Sequence, residues 1–367
     1  MSASILDSFR GRRVLVTGHT GFKGAWLTAW LVHRGADVLG YSLAPPTSPA
    51  LFDQLNLRGR IAHVQADVRD LHMLTSTVSN WQPDFVFHLA AQSLVRRSYE
   101  VPVETISVNV LGTVHVLESI RKSGRKCVAI MVTSDKCYEN KEWIHGYRET
   151  DPLGGIDPYS SSKAMAELSI ASYRAAYFSD SSVGVASVRA GNVIGGGDWA
   201  VDRIVPDAIR ALTKRTPILV RNPQSRRPWL HVLEPLHGYL RLASLIDGAS
   251  NQDRQPFCGP FNFGPPAASN LTVAELADAV LRHWPADDSH YLRWIDQSDP
   301  PAPHEATLLH LASDKAHQAL GWHCVWSFDE SVRETVAWYH RVAHGQDPMS
   351  VTMEQIQQFE LEINRAA

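Results

Sequence analysis

The stretch VTGHTGFKGAW, residues 16–26, joins an apolar run, RVLVTG, to a segment with helical periodicity, GAWLTAWLVHRG. It spaces three glycines at three-residue intervals, at Gly18, Gly21 and Gly24. In a strand–turn–helix context the first glycine can form the tight turn, the second lets a pyrophosphate approach the backbone, and the third allows close packing of the helix. The helix then offers free N–H groups and a positive dipole end to the anion. The pattern predicts a dinucleotide site; a glycine-rich turn without a ligand is the alternative interpretation.

The same alternation of short apolar runs and helical segments continues through the first half of the chain. Runs such as DVLGYSL, DFVFHLA and CVAIMVTS alternate with segments such as VETISVNVLGTVHVLESIRKSG. This order predicts an α/β fold with a doubly wound, Rossmann-type parallel sheet. With 367 residues, of which 44% are hydrophobic, the chain can also build a smaller second domain.

Beyond Gly191 the composition changes to loops rich in glycine, proline, arginine and tryptophan. We therefore predict a dinucleotide-binding domain at residues 1–190 and a smaller C-terminal α/β substrate domain formed by residues 191–228 and 265–367. Residues 229–264, with a helical VLEPLHGYLRLASLI and a short strand FNFG, are expected to return to the first domain.

Composition narrows the classes of partner. A net charge of −3 favours neither nucleic acid nor an anionic membrane, so a small-molecule partner is expected. The seventeen histidines include no His-Glu-x-x-His motif and the cysteines form no CxxC pair, so we expect no metal and no disulfide framework. The first residues lack the apolar segment of a secretory signal, and a cytoplasmic location is expected. The four cysteines are Cys127, Cys137, Cys258 and Cys324.

The end of the second apolar run bears on the choice of cofactor. In DVLGYSLAPPT, Ser42 stands where an acidic residue would bind the ribose of NAD. No arginine stands there to hold the 2′-phosphate of NADP, so NAD is favoured.

A second motif, DPYSSSKAMAEL, places Tyr159 and Lys163 four residues apart on one helical face. An ammonium beside a phenol lowers the phenol pKa, so the tyrosinate could accept a hydroxyl proton while a hydride leaves for a nicotinamide. This spacing is common on helices by chance. Together with the glycine turn it predicts a catalytic pair.

These motifs resemble those of the extended short-chain dehydrogenases/reductases, in the NAD-dependent epimerase/dehydratase family, and within it the CDP-glucose 4,6-dehydratase family. The resemblance covers essentially the whole chain, through segments that include HLAAQSLVRRSY, TSDKCYENKEWIHGYRE, RAGNVIGGGDWAVDRIVPD, RPWLHVLEPLHGYL and PHEATLLHLASDKA. The glycine turn and Tyr-x-x-x-Lys belong to the whole superfamily, whereas TSDK and RPWLHVLEP are more specific.

The resemblance implies conversion of CDP-D-glucose to CDP-4-keto-6-deoxy-D-glucose and water, for the biosynthesis of deoxysugars of surface polysaccharides such as the lipopolysaccharide O-antigen. Hydride leaves carbon 4 for NAD, water is eliminated across carbons 5 and 6, and the hydride returns to carbon 6. A 4-ketone acidifies the proton on carbon 5, so the elimination needs an acid near the carbon 6 hydroxyl and a base near carbon 5.

The TSDK segment supplies the catalytic residues that the resemblance implies. Ser134 would hydrogen-bond the carbon 4 oxygen, Asp135 would protonate the leaving hydroxyl, and Lys136 occupies the second elimination position, where dTDP-glucose relatives carry Glu. A lysine with an ordinary pKa of about 10.4 is protonated. Either burial and neighbouring cations such as Arg148 or Lys163 depress its pKa, which we favour, or it stays charged and stabilises the enolate. A polar turn in which Ser and Asp only cap the next segment is the structural alternative.

The resemblance also implies the binding residues. Asp67 resembles the acid that contacts adenine, and Asn109 resembles the residue that supports the active-site backbone. The cofactor set is Gly18, Thr20, Gly21, Phe22, Gly24, Asp67, Val68, Leu89, Ala90, Ala91, Tyr159 and Lys163. The substrate set is Gln92 and Ser93 facing the sugar, Asn192, Arg203 and Arg227 at the diphosphate with Arg226 as the competing choice, and His304 with Glu305 near the nucleotide.

Two other functions use the same motifs. A related epimerase or reductase would need Tyr159 and Lys163, but Asp135 and Lys136 would be superfluous. A nucleotide-sensing binder would need no proton relay. Two helical segments, VETISVNVLGTVHVLESI and SSKAMAELSIASYRAAYF, resemble the pair that forms a four-helix interface in relatives, so a homodimer or homotetramer is expected.

Overall fold

The computed structural model describes residues 5–285, 292–298 and 308–366. The strands in this part of the chain are β1 (Arg13–Thr17), β2 (Asp37–Ser42), β3 (Ala62–Gln65), β4 (Phe85–His88), β5 (Cys127–Val132), β6 (Val183–Ala190), β7 (Val193–Ile194), β8 (Ile218–Val220), β9 (Arg226–Pro228), β10 (Leu230–His231), β11 (Pro260–Phe263), β12 (Asn270–Thr272) and β13 (Trp294–Asp296).

The α-helices are α1 (Phe22–His33), α2 (Leu51–Gln54), α3 (Leu71–Trp81), α4 (Val95–Glu100), α5 (Pro102–Ile106), α6 (Gly112–Ser123), α7 (Pro158–Tyr173), α8 (Ile204–Thr213), α9 (Leu233–Gly248), α10 (Val273–His283), α11 (Asp314–Leu320), α12 (Phe328–Ala343) and α13 (Pro348–Ala366). One π-helical turn, Ser107–Leu111, joins α5 to α6, and another, Arg174–Phe178, extends α7. A 3₁₀ turn, Asp135–Cys137, follows β5.

A seven-stranded sheet forms the centre of the molecule, with the order β11–β6–β5–β4–β1–β2–β3. Every neighbouring pair in it is parallel. The chain reverses its direction of winding between β1 and β4, and open α/β sheets bind ligands in the crevice outside the carboxyl ends of their strands at such a point. The predicted doubly wound fold is confirmed.

The sheet is buried on both faces, which explains its nearly continuous apolar strands. On one face Val14 and Val16 of β1 pack in a core with Trp26 of α1. On the other face Leu15 packs in a second core with Leu117 of α6. Successive side chains of a strand point to opposite faces, so a single apolar run serves both cores.

The segment expected to return to the sheet forms α9 and β11. Strand β11 pairs with β6 in register Phe261 to Val188, and α9 packs against β5 and β6. Three two-stranded sheets, β7–β10, β9–β12 and β8–β13, lie in the arginine-rich and glycine-rich part of the chain after β6. The domain boundaries at residues 190, 228 and 264 stay a prediction.

Within the described ranges, none of the helices combines the length and the apolar character that spanning a bilayer requires.

Candidate active site

A cleft of about 1440 Å³ runs along the carboxyl ends of β1, β2, β4, β5 and β6. Apart from His304, every residue of the predicted catalytic, cofactor and substrate sets lines it: Gly18, Thr20, Gly21, Phe22, Gly24, Asp67, Val68, Leu89, Ala90, Ala91, Gln92, Ser93, Ser134, Asp135, Lys136, Tyr159, Lys163, Asn192, Arg203 and Arg227. His304 and Glu305 lie outside the described residues.

The three glycines of the first turn have different surroundings. Gly18 has a φ of +75°, and a Cβ there would lie 2.6 Å from the backbone nitrogen of Ala90. A Cβ on Gly24 would lie 2.2 Å from the Gly18 carbonyl oxygen, so α1 packs directly on the turn. A Cβ on Gly21 would meet only the Gly18 carbonyl oxygen, at 3.4 Å. The first and third glycines are therefore required by the protein itself, and the second leaves space in the cleft.

Helix α1 begins at Phe22 with Gly21 as its N-cap and no side-chain hydrogen bond to its first turn. The first N–H groups of a helix need partners from outside the helix. An anion in the cleft at this point would meet those N–H groups and the positive end of the helix dipole. The residues present therefore fit the pyrophosphate of a dinucleotide.

The ends of β2 and β3 close the far side of this turn. The Thr20 hydroxyl lies 2.8 Å from the Ser42 hydroxyl and donates to the Leu43 carbonyl at 3.1 Å. The Asp67 carboxylate is held by the backbone N–H and the guanidinium of Arg69. These hydrogen bonds to Arg69 hold the pKa of Asp67 below its ordinary value. Asp67 therefore enters the cleft as a fixed carboxylate.

The catalytic pair predicted on α7 is buried at the centre of the cleft. Asp157 caps this helix by accepting from the Ser160 N–H at 2.9 Å, and Pro158 occupies its first turn. Tyr159 and Lys163 are 7% and 5% exposed. Burial raises the pKa of Tyr159 to about 12, against the lowering effect of its hydrogen bond to Ser134. Burial also lowers the pKa of Lys163 to about 8.

In the free protein, burial outweighs the groups that lower the Tyr159 pKa, and the lowering by Lys163 stays a prediction. Desolvation disfavours the charged form of both groups. The groups that lower the phenol pKa are the Ser134 hydroxyl and the Arg203 guanidinium.

Ser134, Asp135 and Lys136 form a compact group directly after β5. The Ser134 hydroxyl donates to Asp135 Oδ1 at 2.9 Å and accepts from the Lys136 N–H at 3.3 Å. Asp135 is 1% exposed, and its buried Oδ2 has no hydrogen-bond partner in the part of the chain that the structure describes. A buried oxygen without a partner carries an energetic cost that a ligand hydroxyl would remove. The alternative in which Ser134 and Asp135 only cap the next segment thus accounts for the Ser134 hydrogen bonds but not for the buried Oδ2 of Asp135.

Lys136 has different surroundings from those we favoured. Its side chain is 28% exposed, and its Nζ lies 3.6 Å from Asp135 Oδ1. Arg148 is exposed and does not line the cleft. The burial that our favoured interpretation required is not observed, and the Lys136 Nζ lies beside the Asp135 carboxyl group. The geometry supports the alternative, in which Lys136 acts through its positive charge.

Asn109 ties three elements of the site together from the π-helical turn between α5 and α6. Its Oδ1 accepts from the Gln92 N–H at 2.9 Å, and its Nδ2 donates to the Gln92 carbonyl at 3.0 Å and to Ser162 Oγ at 2.8 Å. Ser162 in turn donates to the Tyr159 carbonyl at 2.7 Å. A π-turn is often found at a functional site. Here it brings a buried amide between the loop after β4 and α7.

The side chain of Gln92 lines the cleft and is also held by hydrogen bonds within the protein, so its contact with the sugar stays a prediction. Its amide donates to the Leu94 carbonyl and to Thr105 Oγ1, both at 3.0 Å, and its Oε1 accepts from the Leu94 N–H at 2.7 Å. All three bonds are made within the protein. Gln92 shapes the loop after β4, and Ser93, which is exposed in the cleft, is the one of the two with a hydroxyl toward ligands.

The predicted diphosphate residues face the other side of the cleft. Arg203 donates to Asp198 Oδ2 at 2.9 Å and to Ser93 Oγ at 3.3 Å. Asn192 has a buried Oδ1 to which none of the described residues donates a hydrogen bond. Arg227 is 9% exposed and lines the cleft. Arg226 is exposed, donates to the Asn270 carbonyl at 2.9 Å, and is not part of the lining.

Lys23 is a site residue that sequence reasoning missed. It lies in the glycine turn and lines the cleft, and its Nζ lies 5.8 Å from the centre of the buried Tyr239 ring. Burial, followed by repulsion from Arg203 and Lys163, lowers its pKa to about 8. The sequence signal that could have identified Lys23 is a lysine in the first turn of a helix, where the positive end of the helix dipole disfavours a cation.

Comparisons with known proteins agree with this geometry. The family model for GDP-mannose 4,6 dehydratase matches residues 15–251. The chain is 44% identical over 358 residues to the CDP-glucose 4,6-dehydratase of Salmonella typhimurium, a match that covers 96% of this chain and 97% of the relative.

Solved structures share the fold. The dTDP-glucose 4,6-dehydratase of Streptomyces venezuelae, solved with NAD, superposes with a TM-score of 0.74 at 22% identity and covers 92% of this chain and 99% of its own. The UDP-glucose 4-epimerase of Thermus thermophilus, solved as a complex with NAD, gives a TM-score of 0.73 at 25% identity over 89% of this chain and 99% of its own. The length and identity of the sequence matches show that the chain belongs to the CDP-glucose 4,6-dehydratase family of extended short-chain dehydrogenases/reductases.

Proposed function

We propose that this protein converts CDP-D-glucose to CDP-4-keto-6-deoxy-D-glucose and water, with NAD as a cofactor that is regenerated in each turnover. The observation that carries the proposal is the meeting of two groups in one cleft. Ser134, Asp135 and Lys136 end β5 beside Tyr159 and Lys163 of α7, next to the glycine turn. An oxidation and an elimination therefore have their acid and base groups within a single site.

The cofactor would be held by the glycine turn, the first N–H groups of α1, and the ends of β2 to β4. When bound, NAD supplies the hydride acceptor for carbon 4, the hydride donor for carbon 6, and a positive charge that favours a tyrosinate. The paired hydroxyls of Thr20 and Ser42 leave no carboxylate at the end of β2 to exclude or select a ribose substituent. We propose NAD over NADP on the residue pattern of this strand end.

In the oxidation, Tyr159 takes the proton of the carbon 4 hydroxyl and Ser134 hydrogen-bonds the same oxygen. The phenol is protonated in the free protein at neutral pH because its pKa is about 12. Arg203 and the Ser134 hydroxyl lower that pKa and so favour proton removal. Lys163, one turn along α7, adds a second positive charge while it is protonated.

In the elimination, Asp135 gives a proton to the carbon 6 hydroxyl as it leaves. Its buried Oδ2, which has no hydrogen-bond partner among the described residues, is the oxygen available for this contact. A basic group in the cleft other than Lys136 takes the carbon 5 proton, and Lys136 stabilises the enolate that forms, because a positive charge beside the developing oxyanion lowers the barrier. Both residues follow β5 directly, so their spacing is set by the 3₁₀ turn Asp135–Cys137.

For the substrate diphosphate we propose Arg203, Arg227 and Asn192. A guanidinium offers parallel N–H donors that match phosphate oxygens, and Arg227 is nearly buried in the lining. Asn192 follows β6 and lines the same cleft as these arginines and the catalytic residues.

We also propose a homodimer or homotetramer in the cytoplasm. Four large apolar side chains on the consecutive helices α5 to α7 and their π-turns are exposed by 49% or more: Val103 at 81%, Leu111 at 49%, Leu168 at 59% and Tyr177 at 53%. Apolar surface of this kind favours association. All four cysteines are free thiols, as expected in a reducing compartment. The product of the reaction is a precursor for deoxysugars.

The test is to incubate the purified protein with NAD and, separately, CDP-glucose, dTDP-glucose and UDP-glucose. The expected result is the alkali-induced ultraviolet absorbance of a 4-keto-6-deoxy sugar with CDP-glucose. The matched control is Tyr159→Phe, which keeps the ring and removes the hydroxyl, and should abolish the signal. Interconversion of epimers, or net formation of NADH, would support the epimerase or reductase alternative. Binding of CDP-glucose with no chemistry would support a sensor.

A further inference from the structure

A buried acid lies beneath the catalytic pair on the same helix. Glu167 is on α7, four residues after Lys163 and eight after Tyr159, so that the three side chains lie along one side of the helix. Glu167 is 3% exposed. The proposed reaction uses Tyr159 and Lys163 but assigns no role to this carboxylate.

The carboxylate of Glu167 is held by donors from two strands of the sheet. Its Oε1 accepts from the Thr133 hydroxyl. Its Oε2 accepts from Ser187 Oγ at 2.8 Å and from Arg189 Nη2 at 2.7 Å. Ser187 and Arg189 belong to β6, and Thr133 follows β5. One side chain of α7 thus connects the helix to the ends of two strands.

Thr133 makes this connection relevant to catalysis. It immediately precedes Ser134, and its own N–H donates to the Val188 carbonyl of β6 at 2.9 Å. The segment that carries Ser134 and Asp135 therefore starts at a residue that is fixed by β6 on one side and by Glu167 on the other. A shift of Glu167 would move Ser134 relative to Tyr159.

Glu167 and Lys163 lie one turn apart on α7, and the charge of Glu167 acts to raise the pKa of Lys163. The ionisable groups that interact with this lysine come from four elements: Lys23 of α1, His88 of β4, Cys137 after β5, and Glu167 of α7. Burial lowers the pKa of His88 to about 3 and raises the pKa of the Cys137 thiol, so both are neutral near pH 7. Lys23 repels the ammonium. Of these four groups, Glu167 is the one whose charge stabilises it.

We infer that Glu167 is a positioning residue, which fixes the start of the Ser134 segment through Thr133 and keeps Lys163 in its charged form through its own negative charge. Glu167 itself does not line the cleft, although its partner Thr133 does. It acts through its neighbours, and the inference rests on the proposed function because it concerns the pair that carries out the oxidation.

The ion pair with Arg189 explains why a carboxylate can serve here. Burying an unpaired carboxylate costs several kcal/mol, and a paired one with further hydrogen bonds costs much less. Arg189 Nη1 in turn donates to the Tyr138 hydroxyl at 2.6 Å, and Tyr138 donates to Asn262 of β11 at 2.7 Å. Three strands therefore hold the charge in place.

The test is the pH dependence of kcat with CDP-glucose and NAD for the wild type and Glu167→Gln. Loss of the negative charge lowers the Lys163 pKa, so the alkaline limb of the profile should move to lower pH by about one unit. A residue with only a structural role would lower kcat and stability without moving this limb. Failure of the wild type to turn over would reject the proposed function instead of this inference.

Two further variants keep the result interpretable. Glu167→Gln leaves Arg189 buried without its partner, which can prevent folding. The double variant Glu167→Gln with Arg189→Gln removes both charges, and a smaller shift in the same downward direction is expected from it, because the loss of the Arg189 charge partly offsets the loss of the Glu167 charge. If the alkaline limb of each variant that folds coincides with the limb of the wild type, the electrostatic role of Glu167 is overturned.

Matched controls separate the charge from the hydrogen bonds. Ser187→Ala removes one bond to the same carboxylate and keeps its charge, so the alkaline limb should stay where it is. Thr133→Val keeps the charge and the side-chain shape but removes the bond to the Ser134 segment; kcat should fall without a shift of the limb. An unchanged kcat in Thr133→Val would overturn the positioning role, and a shifted limb in Ser187→Ala would overturn the assignment to charge.

Discussion

Lys136 shows how the contacts of one residue decide between two mechanisms. It is partly exposed and paired with Asp135 at 3.6 Å. A lysine in this environment stabilises an anion more readily than it removes a proton. The residue at this position in dTDP-glucose relatives, by resemblance a Glu, has the opposite charge and so cannot act in the same way.

If Lys136 acts through its charge, Lys136→Arg should keep more activity than Lys136→Met. We expect Lys136→Met to lower kcat by about 10²-fold, the usual effect of removing one group that stabilises an oxyanion. The measurement is kcat together with the exchange of deuterium at carbon 5 of CDP-glucose. Equal loss in the two variants, with no exchange in either, would identify Lys136 as the base. Exchange that survives Lys136→Met would exclude it as the base.

Short sequence motifs predicted those site residues whose roles depend on residues close to them in the sequence. The glycine turn, the TSDK segment and the Tyr159–Lys163 pair are each contained within a few consecutive residues, and all of them line the cleft. Sequence reasoning did not foresee the roles of Gln92 and Lys23. Their environments depend on residues far along the chain, such as Thr105 for Gln92 and Arg203 for Lys23.

At the scale of elements, the junction of β1 and α1 separates a packing requirement from a binding requirement. Gly24→Ala would place a Cβ 2.2 Å from the Gly18 carbonyl oxygen, so α1 must move and the protein should lose stability. Gly21→Ala meets nothing closer than 3.4 Å in the protein. We expect Gly21→Ala to keep a nearly wild-type Tm but to bind NAD more weakly, because its methyl group occupies the cleft.

Thermal denaturation and titration with NAD would check both variants. The expected pattern is a lowered Tm for Gly24→Ala and a weakened Kd for Gly21→Ala. A Gly21→Ala protein with unchanged NAD affinity would show that the pyrophosphate lies elsewhere.

A second element carries a buried acid with a consequence for stability. Glu234, in the first turn of α9, is fully buried and accepts from the N–H groups of Val325 and Trp326. Burial raises the pKa of Glu234 to about 8. The folded state therefore holds a proton that the unfolded state has released between about pH 4.5 and 8, so this group favours folding at low pH and loses that contribution as the pH rises.

Glu234→Gln removes the titration and keeps an oxygen that can accept both N–H bonds. The free energy of unfolding of the wild type should therefore fall relative to that of Glu234→Gln as the pH rises from about 5 to 8. Urea denaturation at several pH values measures the difference. A difference that does not change with pH would show that Glu234 titrates at the same pH in the folded and unfolded states.

For the whole molecule, the alternation of runs predicted the parallel sheet and its helices, because periodicity follows from burial on two faces. The same alternation did not predict the short strands after β6, since β7 to β10 contain only two or three residues each and show no periodicity. Their short strands are held by partners far along the chain, such as Asn270 for Pro228. The extent of the second domain accordingly stays a prediction.

The assembly of the molecule can be tested at its exposed helices. Leu168 on α7 and Leu361 on α13 are each 59% exposed. If α5 to α7 form the interface, Leu168→Glu should give a monomer and Leu361→Glu should not change the mass. Light scattering measures both. A wild-type monomer, or an oligomer that survives Leu168→Glu, would contradict the proposed interface.

The late position of β11 has a consequence for how the protein is made. A ribosome releases the chain from its N-terminus, so β6 emerges while the strand that covers its outer edge, residues 260–263, is still untranslated. An uncovered, apolar edge is a template for pairing with another chain. Six strands can assemble during translation, but the outer edge of β6 stays unpaired and prone to aggregation until α9 and β11 have been synthesised. A nascent chain stopped near residue 190 is therefore expected to depend on chaperones, although it already contains the glycine turn and the catalytic pair.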